Sequence, residues 1–178
     1  MTQLATPIIM AAVVVPVFRR ADGELRVVLV RRGEQGPHAG ELAFPGGKGE
    51  PGDASLLATA LREIREEIGL AAEQVAVLED LPAVDTLVSG YRIFPFLARV
   101  RPAPAWRFQA GEIAEVIEAK VRDLVRPEAR ADGVFRFPGF PDAIPAPFLR
   151  VGPHRLWGAT LRILDPLLPR LLAGDWPI

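Results

Sequence analysis

Hydrophobic residues in the first part of the chain form two runs that predict a pair of β-strands. Residues 8–18 and 25–32 are rich in Val, Leu and Ile, and the polar link between them contains Asp22-Gly23. An Asp-Gly pair between two apolar runs is typical of a hairpin turn. The pattern therefore predicts that these two strands pair with each other.

Glycine, proline and capping residues predict where the next elements begin and end. A short apolar piece at 41–44 ends at Pro45-Gly46-Gly47, which predicts a turn. A helix follows, because Asp53 or Ser55 can cap its start and Gly69 can end it. Four apolar residues recur at helical spacing and form one stripe of this helix: Leu57, Leu61, Ile64 and Ile68.

The remaining apolar segments complete a mixed α/β pattern. Strands are predicted at 74–81 and 91–100, and shorter strands at 134–137 and 148–151. Residues 112–125 fit both helical and strand periods, and we favour a strand followed by a short turn of helix. Residues 154–172 predict a C-terminal helix that bends at Pro166.

Length and composition are those of one globular domain over residues 1–178. The net charge of −1 gives no reason to expect binding to nucleic acid or to an anionic membrane. The apolar run at 8–18 is too short to span a bilayer and lacks a preceding basic segment, so a cytoplasmic location is expected. The chain has no cysteine, which excludes disulfides and thiolate zinc sites.

Three glutamates share one face of the predicted helix. Glu63, Glu66 and Glu67 lie away from the apolar stripe, where like charges repel by about a few tenths of a kcal/mol per pair. They can form a solvated acidic face, or they can bind a hard cation such as Mg²⁺ or Mn²⁺. The glycine pair Gly46-Gly47 just before the helix favours the cation site, because it lets backbone approach closely.

The segment REIREEIGL at 62–70 resembles the end of the Nudix box, G-x5-E-x7-R-E-U-x-E-E-x-G-U with U aliphatic. A one-residue insertion restores the front half of the pattern, with Gly47 and Asp53 at its Gly and Glu positions. That insertion resembles the branch of Nudix enzymes that hydrolyse coenzyme A. Three further segments are similar to that branch: 38–48, 81–96 and 154–164. The sequence signature of that branch is matched here at Arg31 and His38, and it is not matched at Arg32, Gln35 and Gly36.

The resemblance implies a Nudix-type α/β/α sandwich, in which a mixed sheet lies with the box helix and a C-terminal helix. It also implies metal-dependent hydrolysis of a nucleoside diphosphate linked to another moiety. Coenzyme A or acyl-CoA, cut to 3′,5′-ADP and 4′-phosphopantetheine, is the expected substrate. The alternatives are an ADP-ribose or ADP-sugar pyrophosphatase, and a Nudix-fold regulator that binds a nucleotide without hydrolysing it.

The same resemblance assigns metal ligands and an acid–base group. Glu63 and Glu67 are the expected ligands of Mg²⁺ or Mn²⁺, and Gly47 is expected to add its carbonyl oxygen. Glu66 is expected to bridge or share a second ion, and it is also a rival general base. Glu112 is the expected general base, from a loop outside the box that also carries Glu115.

Other residues are expected to orient these groups or to contact substrate. Arg62 is expected to orient a carboxylate. Arg31, Arg32 and Lys48 are candidates for the phosphates of a small nucleotide substrate, as bidentate or point-charge donors. His38 is expected either to contact substrate or to order its turn. A homodimer is possible, since related proteins often form one.

Overall fold

A large mixed β-sheet forms the centre of the computed structural model, which describes residues 8–36, 38–86, 89–101, 106–136 and 142–178. Its strands are β1 (Ile9–Arg19), β2 (Leu25–Arg32), β3 (Leu42–Ala43), β4 (Gly46–Lys48), β5 (Val75–Asp80), β6 (Val84–Asp85), β7 (Tyr91–Val100) and β8 (Ile113–Lys120). The main path runs β3-β2-β1-β7-β5, and β4, β6 and β8 pair with β1, β7 and β2 respectively. The pair β1–β7 is parallel and the other pairs are antiparallel.

A second, antiparallel sheet and four helices complete the described structure. The sheet consists of β9 (Arg130–Phe135), β10 (Ile144–Val151) and β11 (His154–Trp157), with β10 in the middle. The helices are α1 (Leu56–Ile68), α2 (Val121–Leu124), α3 (Gly158–Leu164) and α4 (Leu167–Ala173), and 3₁₀ turns span Ala72–Gln74 and Pro127–Ala129. No helix in the described parts of the chain is long and apolar enough to cross a membrane.

Alternating side chains of the central strands fill two separate cores. In β1, Val14 and Phe18 pack on the side of α1 with Ile64, whereas Val15 packs on the opposite side with Leu168 of α4. A strand covered on both faces needs apolar residues at successive positions, which explains the continuous apolar run at 8–18. The predicted α/β/α sandwich with a mixed sheet is confirmed.

Helix α1 begins and ends as its sequence predicts. The Ser55 hydroxyl accepts a hydrogen bond from the N–H of Ala58 (3.1 Å), and Gly69 ends the helix with a φ of 75°. The buried face differs in part from the predicted stripe, because Leu57 and Leu61 are only half-buried. The fully buried positions include Ala60, Ile64, Ile68 and one acidic residue, Glu67.

Two of the short strands that were not predicted occupy segments where another element was expected. Gly46–Lys48, expected as part of a turn, pairs with β1 so closely that a Cβ on Gly46 would lie 2.3 Å from the carbonyl oxygen of Ala12. His154–Trp157, expected as the start of the last helix, pairs instead with β10. Both assignments were wrong because pairing with a distant strand, and not the local pattern, decides these segments.

Other predictions are confirmed with changed bounds. The strand-then-helix reading of 112–125 is confirmed by β8 and α2. The helix is interrupted at Asp165 and Pro166, which separate α3 from α4. The predicted strand at 134–137 belongs to the longer β9, and its last residue lies outside the described residues.

Candidate active site

The short glycine strand β4 lies directly against two glutamates of α1. The backbone N–H of Gly46 donates a hydrogen bond to Glu67 Oε2 at 2.9 Å. A Cβ built on Gly47 would lie 2.4 Å from Glu63 Oε1. A side chain at Gly47 would therefore displace the Glu63 carboxylate, so the glycines allow backbone and both carboxylates to meet.

Glu67 is the most deeply buried acidic residue of the cluster, with 5% of its surface exposed. Burial raises the pKa of Glu67 to about 7, and repulsion from Glu63 and Glu112 adds to that effect. The hydrogen bond from Gly46 and the charge of Arg32 lower this pKa, but they do not outweigh burial. Glu67 forms no salt bridge with any residue that the structure describes.

Glu63 lies beside Glu67 and is partly buried. Burial raises the pKa of the Glu63 carboxyl, and Arg62 offsets only part of the rise. Glu66 and Glu112 repel Glu63 as well. Glu112, which immediately precedes β8, is therefore close enough to act electrostatically on both buried carboxylates, although it is distant from them in sequence.

Arg62 is held by a network of oxygen atoms around the start of α1. Its guanidinium donates to Asp53 (3.1 Å), Glu63 (3.0 Å), Glu66 (3.1 Å) and the carbonyl oxygen of Lys48 (3.1 Å). These contacts join β4 to two of the three box glutamates. The geometry supports an orienting role for Arg62.

Asp53 anchors this network, a role that the sequence did not reveal. Hydrogen bonds from Arg62 hold the pKa of Asp53 well below its usual range, and the N–H of Glu50 and the hydroxyl of Thr59 also donate to it at 2.9 and 2.8 Å. Asp53 was considered as a helix cap, but Ser55 has that position. The available signal was its place at the first acidic position of the box-like pattern.

The donor set suits a divalent cation. The carboxylates of Glu63 and Glu67 place hard oxygen atoms beside the backbone of β4, and cationic side chains do not fully compensate these buried groups. Glu66 turns toward Arg62 and is half-exposed. Within the described ranges, no three His, Asp or Glu side chains already converge as a complete ligand set.

The neighbours Arg31 and Arg32 point to opposite faces of the large sheet. Arg32 lies on the α1 side, where its charge acts on Glu67. Arg31 lies on the other side, where its guanidinium contacts Glu34 (2.9 Å) and approaches Glu115 (3.7 Å). The structure thus brings Arg32 to the carboxylate cluster and does not bring Arg31 there.

The two histidines and Lys48 have local partners. His38 Nδ1 lies 3.1 Å from Glu41 Oε2 in the same loop, which agrees with an ordering role. His154 Nε2 lies 3.1 Å from Glu115 Oε2, on the side of Arg31. The exposed Lys48 places its ammonium 5.7 Å from the centre of the Tyr91 ring, next to the glycine strand.

Comparison with known proteins identifies the class of this fold and site. The model of the NUDIX domain matches residues 9–136, so the chain belongs to the Nudix family. Proteins named uncharacterized Nudix hydrolase NudL, from Citrobacter koseri and Cronobacter sakazakii, are 39% identical over 116 residues. The matched region covers 65% of this chain and 59% of each relative.

Solved structures share the fold at low sequence identity. The MutT/nudix family protein from Enterococcus faecalis superposes with a TM-score of 0.64 at 17% identity, over 97% of this chain and 65% of that one. The Nudix domain of Shewanella oneidensis NrtR, complexed with ADP ribose, superposes with a TM-score of 0.55 at 22% identity, over 67% and 77%. These similarities support the fold alone.

Proposed function

We propose that the chain is a pyrophosphohydrolase that uses Mg²⁺ or Mn²⁺ to cleave a nucleoside diphosphate linked to another moiety. The observation that carries this proposal is the meeting of Glu63 and Glu67 with the glycine strand β4. Burying two carboxylates with so little cationic compensation costs stability unless a cation joins them. Perturbed carboxylates of this kind concentrate at functional sites.

Glu63, Glu67 and the carbonyl of Gly47 would hold the divalent ion, and Glu66 would share a second one. When bound, such an ion neutralises phosphate charge and lowers the pKa of a bound water. Arg62 keeps Glu63 and Glu66 in place through the two hydrogen bonds described above.

Glu112 is the proposed general base. Its carboxylate would take a proton from the attacking water, whose oxygen bonds to one phosphorus. The bond from that phosphorus to the bridging oxygen breaks, and the other phosphate leaves with the bridging oxygen. Arg32 lies close enough for its charge to act on Glu67, and Lys48 is the last residue of β4. Positive charge at these two places favours a diphosphate. The single domain over 1–178 and a homodimer remain predictions from the sequence.

Coenzyme A or acyl-CoA is the proposed substrate. Support comes from the one-residue insertion between Asp53 and Arg62 and from the three segments that resemble the coenzyme A branch. Coenzyme A carries a 3′-phosphate that ADP-ribose lacks, and this group requires a basic partner. Arg32 is the candidate, since both guanidinium contacts of Arg31 are directed to carboxylates on the other face.

A substrate panel with Mg²⁺ and with Mn²⁺ tests the proposal. Coenzyme A should give a higher kcat/KM than its 3′-dephospho form, and Arg32→Ala should reduce that preference by about ten-fold, as expected for a lost charge-assisted hydrogen bond. Arg31→Ala should keep the preference, and Arg126→Ala, on an exposed surface residue, controls for loss of charge.

Three outcomes would redirect the proposal. Equal rates with and without the 3′-phosphate would remove the role of Arg32. Faster hydrolysis of ADP-ribose than of either form would favour an ADP-ribose pyrophosphatase. Binding of these nucleotides without turnover under either metal would favour a regulator that only binds.

A further inference from the structure

Gly33, which directly follows β2, touches the backbone that carries Glu112. Its N–H donates a hydrogen bond to the carbonyl oxygen of Glu112 at 2.8 Å. A Cβ on Gly33 would lie 2.3 Å from the carbonyl oxygen of Gly111 and 3.1 Å from its carbonyl carbon. These are backbone atoms, so rotating a side chain cannot relieve the overlap.

The contact occurs where the pairing of β2 with β8 becomes irregular. Arg31 pairs with Glu115 and Arg32 with Ile113, so β8 contains one extra residue at this point. Bulges of this kind redirect side chains and are frequent beside active sites. The hydrogen bond from Gly33 lies immediately beyond this bulge and attaches the preceding turn to the end of β2.

The turn before β8 is itself tight. The N–H groups of Glu112 and Ile113 both donate to the carbonyl oxygen of Gln109, at 3.2 and 3.1 Å. The position of the Glu112 backbone is therefore set from two sides, by its own turn and by Gly33. Displacing the Gly111–Glu112 peptide from β2 would move the Glu112 carboxylate relative to Glu63 and Glu67.

We propose that Gly33 is a positioning residue for the reaction, because the absence of a side chain lets the Gly111–Glu112 peptide lie against β2. This proposal rests on the proposed function, in which Glu112 is the general base. Gly33 has no left-handed φ, so an alanine there changes the available space and does not strain its own backbone. The contact, and not conformational freedom, is what requires glycine.

The test compares Gly33→Ala with Gly52→Ala, each alone and in a Glu112→Gln background. Gly52 is exposed, has no left-handed φ, and has open space where a Cβ would lie, so it is the matched control. Gly33→Ala should lower kcat by ~10- to 10²-fold, the effect of a misplaced catalytic group. KM and the dissociation constant for Mg²⁺ should stay within two-fold, and Gly52→Ala should behave as wild type.

The double variant separates positioning from general damage. Once Glu112 is Gln, adding Gly33→Ala should change kcat by less than two-fold, because the group that it positions is already lost. An equal loss of rate in both backgrounds, or a wild-type rate in Gly33→Ala, would overturn the role of Gly33 alone. Full activity of Glu112→Gln by itself would overturn the general base and the role of Gly33 with it.

Amide hydrogen exchange of the wild-type protein keeps the proposal testable if Gly33→Ala fails to fold. The Gly33 N–H should be protected from exchange, since it donates to Glu112. Exchange as fast as in an unstructured peptide would mean that the contact does not persist, and the proposal would fall.

Discussion

Glu118 and the carboxylates of α1 both lie beside the large sheet, but they differ in how their charge is balanced. Glu118 on β8 accepts hydrogen bonds from Arg20, Arg26 (3.3 Å) and the indole of Trp106 (2.9 Å). Burial alone would raise the pKa of Glu118, but the bonds from Arg20 and Trp106 outweigh burial and hold this pKa below its usual value. This carboxylate has its partners within the fold.

The carboxylates of α1 show the opposite balance. Glu67 is buried more deeply than Glu118, yet it accepts one backbone hydrogen bond, from Gly46, and its pKa rises to about 7. Glu63 also has a raised pKa although Arg62 contacts it. A buried carboxylate with a complete set of hydrogen-bond partners stabilises the fold. A buried carboxylate that lacks such partners is typical of a site that binds a cation.

The largest expected effect is the loss of catalysis when one of the buried carboxylates of α1 is neutralised. Glu63→Gln keeps the size of the side chain and removes its charge, so turnover should fall by more than the ~10²–10⁴-fold typical of losing a general base. The fold should survive, because relief of repulsion offsets lost contacts. Steady-state rates across a Mg²⁺ titration measure the loss. The control is Glu118→Gln, which makes the same change at the carboxylate whose partners lie within the fold. Full activity of Glu63→Gln at low Mg²⁺ would contradict the ligand assignment.

The second expected effect is a pH dependence of stability in the metal-free protein. The folded-state pKa of Glu67, about 7, lies above its ordinary value of 4.5. The folded state thus keeps a proton that the unfolded state loses, and rising pH destabilises the fold across that interval. Glu67→Gln cannot ionise, so it should be more stable than wild type at pH 8 by up to about 3 kcal/mol, and equally stable at pH 4.

Urea unfolding in the presence of a chelator, at both pH values, measures this difference. The comparison of the two proteins at each pH cancels the titration of groups that do not interact with Glu67. A gain of the same size at pH 4 and pH 8 would show that something other than the charge of Glu67 is responsible.

Most of the fold follows from local patterns in the sequence. The apolar runs of β1 and β2, the Asp22-Gly23 link and the Ser55 and Gly69 caps each act within a few residues, so they can be predicted. The strands β4 and β11 could not, since each exists only through pairing with a partner elsewhere in the chain. The sequence of β4, with Gly46-Gly47, carries a turn signal, and the sequence of β11 continues the apolar pattern of the predicted last helix.

The site could be predicted in part, and for the same reason. The box-like pattern singles out Glu63, Glu67 and Gly47 because they lie within one short segment, and the structure brings β4 next to both glutamates. Alternation along β2 places Arg31 and Arg32 on opposite faces of the sheet. Which of these faces α1 covers is decided by tertiary packing, so the sequence could not tell which arginine lies near the carboxylates. The contact of Gly33 with the Glu112 loop depends on how β8 pairs with β2, which no local pattern specifies.

A third, intermediate effect is a loss of stability when Glu118 is neutralised. Glu118→Gln should cost about 1.5–3 kcal/mol at pH 7, the range for hydrogen bonds to charged groups. The side chain of Glu118 is 16% exposed, so solvent replaces little of this loss. Its folded pKa is lowered, so the stabilisation should disappear as pH falls through that value. Urea unfolding at neutral and acidic pH measures the cost and its pH dependence. Unchanged stability at pH 7 would remove the contrast between Glu118 and the carboxylates of α1.

The smallest expected effect concerns Glu66, which lies between the two kinds of carboxylate. Its side chain is 51% exposed and pairs with Arg62 at 3.1 Å, so Glu66→Gln should cost about 0.5 kcal/mol or less in urea unfolding. Its rate loss should be smaller than that of Glu112→Gln, since a carboxylate that already accepts a hydrogen bond from Arg62 is less free to accept a proton. Measurements of kcat and of Mg²⁺ affinity for Glu66→Gln and Glu112→Gln, made side by side, test this expectation. If Glu66→Gln loses more rate than Glu112→Gln while both bind Mg²⁺ normally, Glu66 is the general base.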